Sequence, residues 1–305
     1  MPSELLSPVV SGHSEASAMV EQRVAETAVE RRNGSGGIQD RDLLAVEEAL
    51  EIRLVYGTAE QRVGKSITVT MRTPGSDREL AAGFLFAEGL VRCPEDVVSI
   101  RHCGPPAGPL RLRNVVRVEL RPGANVDATR LERNFLSTSS CGVCGKASLE
   151  ALPTLRRTRL SDGLVVAAAA IHRLPDMLRQ AQTVFDCTGG LHAAALFDRD
   201  GRLHDVKEDV GRHNALDKLG GALARKNIAA RNGMVVFTSR VSVEMIQKAA
   251  ALDAPVVVAV SAPTALAVRT ANAAGITLVA VARNDGFEVF THPQRVAMEA
   301  VADVA

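Results

Sequence analysis

Residues 234–282 read MVVFTSRVSVEMIQKAAALDAPVVVAVSAPTALAVRTANAAGITLVAVA. Short Val-rich runs, Met234 to Phe237, Val256 to Val260 and Ile276 to Ala282, alternate with longer segments, Val243 to Leu252 and Ala265 to Ala274. The runs have the length and β-branched content of buried strands, and the segments between them suit helices. A β-α-β-α-β order demands parallel strands joined by crossovers, with helices covering the sheet. Just upstream, Leu191 to Phe197 and Arg202 to Val206 flank the turn Asp198-Arg199-Asp200-Gly201, an antiparallel hairpin added to the same sheet. The fold class is therefore α/β, with a mixed, helix-covered sheet in a domain spanning residues 136–305.

Towards the N-terminus the pattern changes. Ile52 to Tyr56 and Ile67 to Met71 look like two strands of a hairpin, Asp77 to Val91 carries apolar residues at helical spacing, and Val115 to Leu120 alternates like another strand. Residues 41–135 are expected to form a smaller α+β domain. Residues 1–40 are rich in Ser, Gly, Glu and Arg, with one weak helical stripe (Val20, Val24, Ala28) that stops at Asn33-Gly34, and are expected to be a flexible tail. No self-similar repeat of 20–50 residues is visible.

Composition narrows the function classes. The 305 residues exceed one typical domain of about 150. Lys plus Arg at 36 against Asp plus Glu at 35 leaves a net charge of +1, so no global field draws the chain onto nucleic acid or an anionic membrane. Aromatic residues make up 3% and Trp is absent, which leaves few platforms for unpaired bases. The most apolar stretches, residues 164–171 and 256–260, are far shorter than the roughly 20 residues of a spanning helix. The first residues lack the order of a secretory signal, and five cysteines, an odd number, do not suggest a disulfide framework. A reducing cytoplasm is the expected compartment.

Chemistry concentrates at three places. Cys141-Gly142-Val143-Cys144-Gly145-Lys146 is a C-x-x-C between glycines. The thiolate is the reactive form of cysteine, favoured by nearby backbone N–H groups or a cation such as Lys146, and a second thiol can resolve or hold what the first accepts. Half of a zinc knuckle is an equal reading of this spacing, although no second ligand pair occurs at standard spacing. Cys93, Cys103 and Cys187 stand alone and read as small buried hydrophobes. Thr188-Gly189-Gly190-Leu191-His192 marks a turn into a strand; His192 is either an acid–base group or a satisfied half-buried histidine. Lys207-Glu208-Asp209-Val210-Gly211-Arg212-His213-Asn214-Ala215-Leu216-Asp217-Lys218 follows a strand and enters a helix that is expected to end near Gly220-Gly221. It suits an anion site where α/β sheets bind ligands, or a solvated turn with capping residues. Thr238-Ser239-Arg240 and Ser261-Ala262-Pro263-Thr264 leave two further strand ends, with Ser239 and Thr264 available as helix caps.

Taken in order, CGVCGK, TGGLH, EDVGRHNALDK, TSR and GFEVFTHPQR resemble the formate dehydrogenase accessory sulfurtransferase (FdhD) family, over about residues 45–300. The resemblance implies a cytidine-deaminase-like α/β domain behind the small α+β domain. It implies a cytoplasmic sulfurtransferase that accepts sulfur from a cysteine desulfurase as a persulfide on Cys141, with Cys144 in the second position. The sulfur passes to the molybdenum cofactor, a bis-molybdopterin guanine dinucleotide, before formate dehydrogenase receives it. The family's cofactor-binding stretch matches Phe287, Glu288, Val289, Phe290, Thr291 and His292. Arg212 with His213, Lys207, Arg240 and Arg295 are the candidate contacts for the guanine-nucleotide moiety and its charge. No permanent metal, nucleic acid or membrane partner is expected, and a homodimer is left open.

Two alternatives belong to other classes. A zinc deaminase shares the expected fold and a C-x-x-C, but no H-x-E or C-x-E precedes Cys141 to supply its proton shuttle. A non-catalytic chaperone of the molybdenum cofactor would need Cys141 and Cys144 only as structural residues. A thioredoxin-like oxidoreductase is a weaker third, because the C-x-x-C does not follow a strand of a βαβ unit.

Overall fold

The structure is a computed structural model describing residues 22–33, 36–108, 110–127, 135–136 and 163–298. Its first elements are β1 (Val24–Asn33) and β2 (Gly36–Ala45), which pair antiparallel from Val24↔Ala45 to Asn33↔Gly36. The tail expected over residues 1–40 is thus replaced, from Val24 onward, by a strand, and its boundary falls inside β2. The helical stripe was misleading because the ribbon buries little. It carries cross-strand ion pairs, Arg41–Glu26 at 2.7 Å and Arg31–Asp40 at 2.8 Å, and its base, Val24 with Leu43 and Ala45, packs with Val184 and Leu191.

β3 (Glu48–Gly57) and β4 (Arg62–Arg72) form the expected antiparallel hairpin, followed by α1 (Asp77–Ala87), β5 (Val97–Cys103), β6 (Val115–Leu120) and β7 (Phe135–Leu136). The strand order is β5-β6-β3-β4-β7. Alternation along β3 and β6 sends Leu50, Ile52, Leu54, Val116 and Val118 against Leu80, Ala81 and Leu85 of α1, and all eight are buried.

The larger unit holds β8 (Val166–Ala167), α2 (Ala168–Ala181), α3 (Thr183–Thr188), β9 (His192–Asp198), β10 (Leu203–Asp209), α4 (Arg212–Lys226) and β11 (Gly233–Phe237). It continues with α5 (Val243–Ala251), β12 (Val256–Ala259), α6 (Ala265–Ala274), β13 (Thr277–Arg283), β14 (Gly286–Thr291) and β15 (Val296–Ala297). Its main sheet runs β10-β9-β11-β12-β13-β14; β11, β12 and β13 are parallel and the other pairs antiparallel. The mixed α/β architecture is the one expected. Successive residues of β11 and β12 face opposite layers: Val235, Phe237, Val257 and Ala259 pack under α4, α5 and α6, while Met234, Val236, Val256 and Val258 pack with Ile171, Leu174 and Leu178 of α2. Among the described residues no helix is long and apolar enough to cross a membrane.

One expected helix end moves. α4 does not stop at Gly220-Gly221 but continues to Lys226. The glycines lie inside it because α1 crosses there: a Cβ at Gly221 would overlap the carbonyl oxygen of Glu79, and one at Gly83 that of Asp217. The two helices touch backbone to backbone, and this crossing joins the two units.

Candidate functional site

The register of the large sheet brings four chain segments to one end. Asp209, the last residue of β10, pairs with His192, the first of β9, and Phe237, the last of β11, pairs with Ala194 and with Ala259 at the end of β12. Gly189–His192, Val210–His213, Thr238–Arg240 and Ser261–Thr264 therefore leave the sheet on the same side. Thr238 locks two of them together: its N–H donates to the Ala193 carbonyl at 3.1 Å and its hydroxyl accepts the Ala193 N–H at 3.0 Å. Thr264 caps α6 as expected, accepting from the Ala267 N–H at 3.2 Å, whereas the N-cap of α5 is Ser242 and not Ser239.

Most of the charged motif on β10 and α4 is spent on the fold. Asp209 is fully buried and accepts from the Gly211 N–H at 2.8 Å, the Thr73 N–H at 3.2 Å and Asn214 Nδ2 at 3.2 Å, while Lys218 Nζ pairs with it at 2.7 Å. Lys218 also donates to the Thr73 carbonyl at 2.7 Å and Asn214 to the Met71 carbonyl at 2.7 Å, so both side chains hold the end of β4. Asp217 receives Lys248 at 2.7 and 2.8 Å. Glu208 accepts the Val184 and Phe185 N–H groups at the start of α3. Asn214, Asp217 and Lys218 share the inner face of α4 by their i, i+3, i+4 spacing.

Arg212 and His213 occupy the first turn of α4. Burial, with Lys248, Arg212 and His192 adding like charge, pushes His213 down to about 3, and its Nε2 is buried without a hydrogen-bond partner among the described residues. His192 is likewise lowered, by burial first and then by Arg212, against the opposing pull of Asp209. The sheet end thus combines guanidinium charge with two imidazoles held neutral at pH 7, able to donate to or accept from a bound group without adding charge. Beside it Val281, a β-branched residue, holds a φ of 54° next to Ser261, a conformation such residues rarely adopt.

The structure gathers some of the sequence-predicted residues and separates others. Arg212, His213 and exposed Arg240 share the sheet end with His192. Phe287, Glu288, Val289, Phe290 and Thr291 form the edge strand β14, and His292 follows it. Because β14 runs antiparallel to β13, His292 lies at the opposite end of the sheet, where its carbonyl accepts from Thr277 Oγ1 at 2.9 Å and its Nε2 meets the Asn272 carbonyl at 3.0 Å. Thr291 donates to the Ile276 carbonyl at 2.7 Å, and Phe287 packs on His172 with ring centres 4.9 Å apart. Lys207 pairs with Asp205 at 2.7 Å, and buried Arg295 donates to the Gly275 carbonyl at 2.8 Å, so both act within the fold. Cys141 and Cys144 lie outside the described residues. Among the described residues no three His, Cys, Asp or Glu side chains are grouped to hold a metal ion. The contribution of Thr70, Met71 and Thr73 to the site's support carried no signal in the sequence, since these residues meet α4 from about 140 positions away.

A mixed α/β protein whose strand-end loops converge on a cationic, histidine-bearing edge is the class that fold and site define. The chain belongs to the FdhD/NarQ family, whose model matches residues 47–297. It is 48% identical over 258 residues to a sulfur carrier protein FdhD from Mycolicibacterium paratuberculosis, covering 84% of this chain and 92% of that one. A sulfur carrier protein FdhD from Streptomyces coelicolor is 45% identical over 283 residues, with 91% and 98% covered. Among solved structures, a putative formate dehydrogenase accessory protein from Desulfotalea psychrophila has the same fold, with a TM-score of 0.69 at 23% identity over 90% of this chain and all of that one.

Proposed function

We propose that this chain carries sulfur in the maturation of a formate dehydrogenase, taking it from a cysteine desulfurase as a persulfide on Cys141 and delivering it to the molybdenum cofactor, which is substrate here and not a resident group. The observation that carries the proposal is the 48% identity to a sulfur carrier protein over most of both chains, with the Cys141-x-x-Cys144 pair falling inside the matched family region. In the first step the Cys141 thiolate attacks the outer sulfur of the donor's persulfide; a new S–S bond forms on Cys141, the donor's breaks, and the donor leaves as its thiolate. If Cys144 then attacks the inner sulfur, a Cys141–Cys144 disulfide forms and the outer sulfur departs as sulfide, the two thiolates supplying both electrons. The proposed compartment is the reducing cytoplasm, where such a thiol stays exchangeable. On the same family ground the larger unit is cytidine-deaminase-like.

The acceptor brings phosphate charge on its guanine-nucleotide arms. Arg212, Arg240 and the neutral imidazoles of His192 and His213 supply the kinds of group that hold such charge at strand ends. Phe287 to His292 would serve a separate part of the same acceptor, since they lie along another edge. The test is intact-mass analysis after incubation with a cysteine desulfurase and cysteine. One added sulfur mapped to Cys141, absent in Cys141→Ala, and a formate dehydrogenase left inactive by that variant are expected. Normal maturation with Cys141→Ala would refute sulfur transfer through this residue and leave only a cofactor chaperone.

A further inference from the structure

A concave site lies away from the sheet end, at the joint of the two units. A cavity of about 270 Å³ is bounded by α1, by the last turn of α4 and by β5, with Ala82, Phe86, Pro94 and Ala224 giving an apolar lining and Arg78 and Arg225 a cationic one. Four consecutive residues of β5, Val97 to Ile100, also line it. Side chains of a strand alternate between faces, so four in a row mean that the cavity follows the strand's edge and not one face. That edge is open: β5 is the end strand of its sheet and, among the described residues, pairs only with β6. The register breaks between Val97 and Ser99, which turns Val98 outward, 64% exposed, and leaves Ser99 to Cys103 as the stretch in regular register.

We propose that this edge and cavity form a docking site for an extended segment of a partner protein in which acidic side chains alternate with apolar ones. An added strand satisfies the outward backbone groups of β5, and one apolar side chain enters the cavity beside Phe86 and Val98. Acidic neighbours meet Arg78, which makes no ion pair among the described residues, and Arg225, which is already paired with Glu79. Charge selects against a second copy as the occupant. The β5 sequence, VVSIRHC, contains Arg101 and no acidic residue, so pairing β5 with β5 would set a cationic strand against the same arginines. The proposal is independent of sulfur transfer, because it concerns binding at a different place.

The probe is a fluorescent hexapeptide, Glu-Val-Glu-Ile-Glu-Val, with Lys-Val-Lys-Ile-Lys-Val as its charge-reversed control, added to the full chain. Saturable binding of the acidic peptide is expected, with slowed amide exchange over Val97 to Cys103 and affinity falling with salt. Arg78→Glu and Val98→Asp, both at exposed positions, are each expected to weaken it about tenfold or more, as loss of one charge-assisted or anchoring contact implies. Unchanged urea unfolding of the two variants shows that the loss is not misfolding. Equal binding of both peptides, binding without protection of β5, or unchanged affinity in both variants would overturn the proposal. So would a dimer dispersed by Val98→Asp, which would assign the edge to a second copy.

Discussion

His213 turns burial into a pH dependence. Its imidazole, held at about 3 in the fold against 6.5 in an unfolded chain, resists a proton that the unfolded chain accepts. As the pH falls from 6.5 towards 3 the unfolded state therefore binds more protons, and stability drops by at most about 1.4 kcal/mol per pH unit from this group. Asp217, raised to about 6 mainly by burial, works in the other direction, since its contribution is lost as the pH rises through that value. Comparing the parent with His213→Gln cancels Asp217 and isolates the histidine. Urea midpoints at pH 7.5 and 4.5 are expected to show the parent losing about 1–2 kcal/mol more than the variant on acidification. Equal losses would mean that His213 takes its proton freely in the folded chain. This division of labour was only half legible beforehand. Lys207 to Lys218 announced a dense charged turn, but residue types alone did not say that Asn214, Lys218 and Asp209 would bond to one another and to a distant strand end; the α4 phase and the partner segment at Thr70 to Thr73 decide it.

Helices and strands with a buried face were readable, and those without one were not. The Val runs of β11, β12 and β13 are sandwiched between helix layers and so are apolar throughout, which is why residues 234–282 give their own topology away. β1 and β2 bury only their base and rest on cross-strand charge pairs, leaving no period-2 signal to find. Gly220-Gly221 looked like a helix stop because glycine usually is one, yet Gly221 serves the close crossing of α1 and α4. The magnitudes there compete: Gly→Ala in a helix interior gains up to about 1 kcal/mol of propensity, whereas a methyl pressed on backbone carbonyl oxygen costs about 1–3 kcal/mol or more because backbone cannot swing aside. Gly221→Ala is therefore expected to lower stability by about 2 kcal/mol, seen as an earlier urea midpoint. Gly286→Ala, with open space where its Cβ would sit, is expected to stay within about 0.5 kcal/mol of the parent. A Gly221→Ala chain as stable as the parent would show that α1 and α4 do not cross at this distance.

Across the whole molecule, the two large sheets, each with its own packing, behave as one body only as far as their joint holds. That joint includes the α1–α4 crossing and the buried pair Asp209–Lys218, from which Lys218 reaches the Thr73 carbonyl of the small unit. Neither sheet's own packing depends on Lys218, so its removal weakens the coupling more than either core. Lys218→Met leaves Asp209 buried without its cation, a loss of about 3–5 kcal/mol by the measure of broken buried pairs. The chain carries its own reporter for where that loss falls: it has no Trp and one Tyr, and Tyr56 lies on β3, packed against the small unit's core. Tyrosine fluorescence thus follows the small unit, while far-UV circular dichroism follows both. In the parent the two signals are expected to trace one urea transition, because the lock makes unfolding cooperative across the joint. In Lys218→Met the fluorescence curve is expected to move to lower urea ahead of the dichroism curve. Coincident curves in that variant, or separate ones in the parent, would show that the buried pair is not what couples the two units.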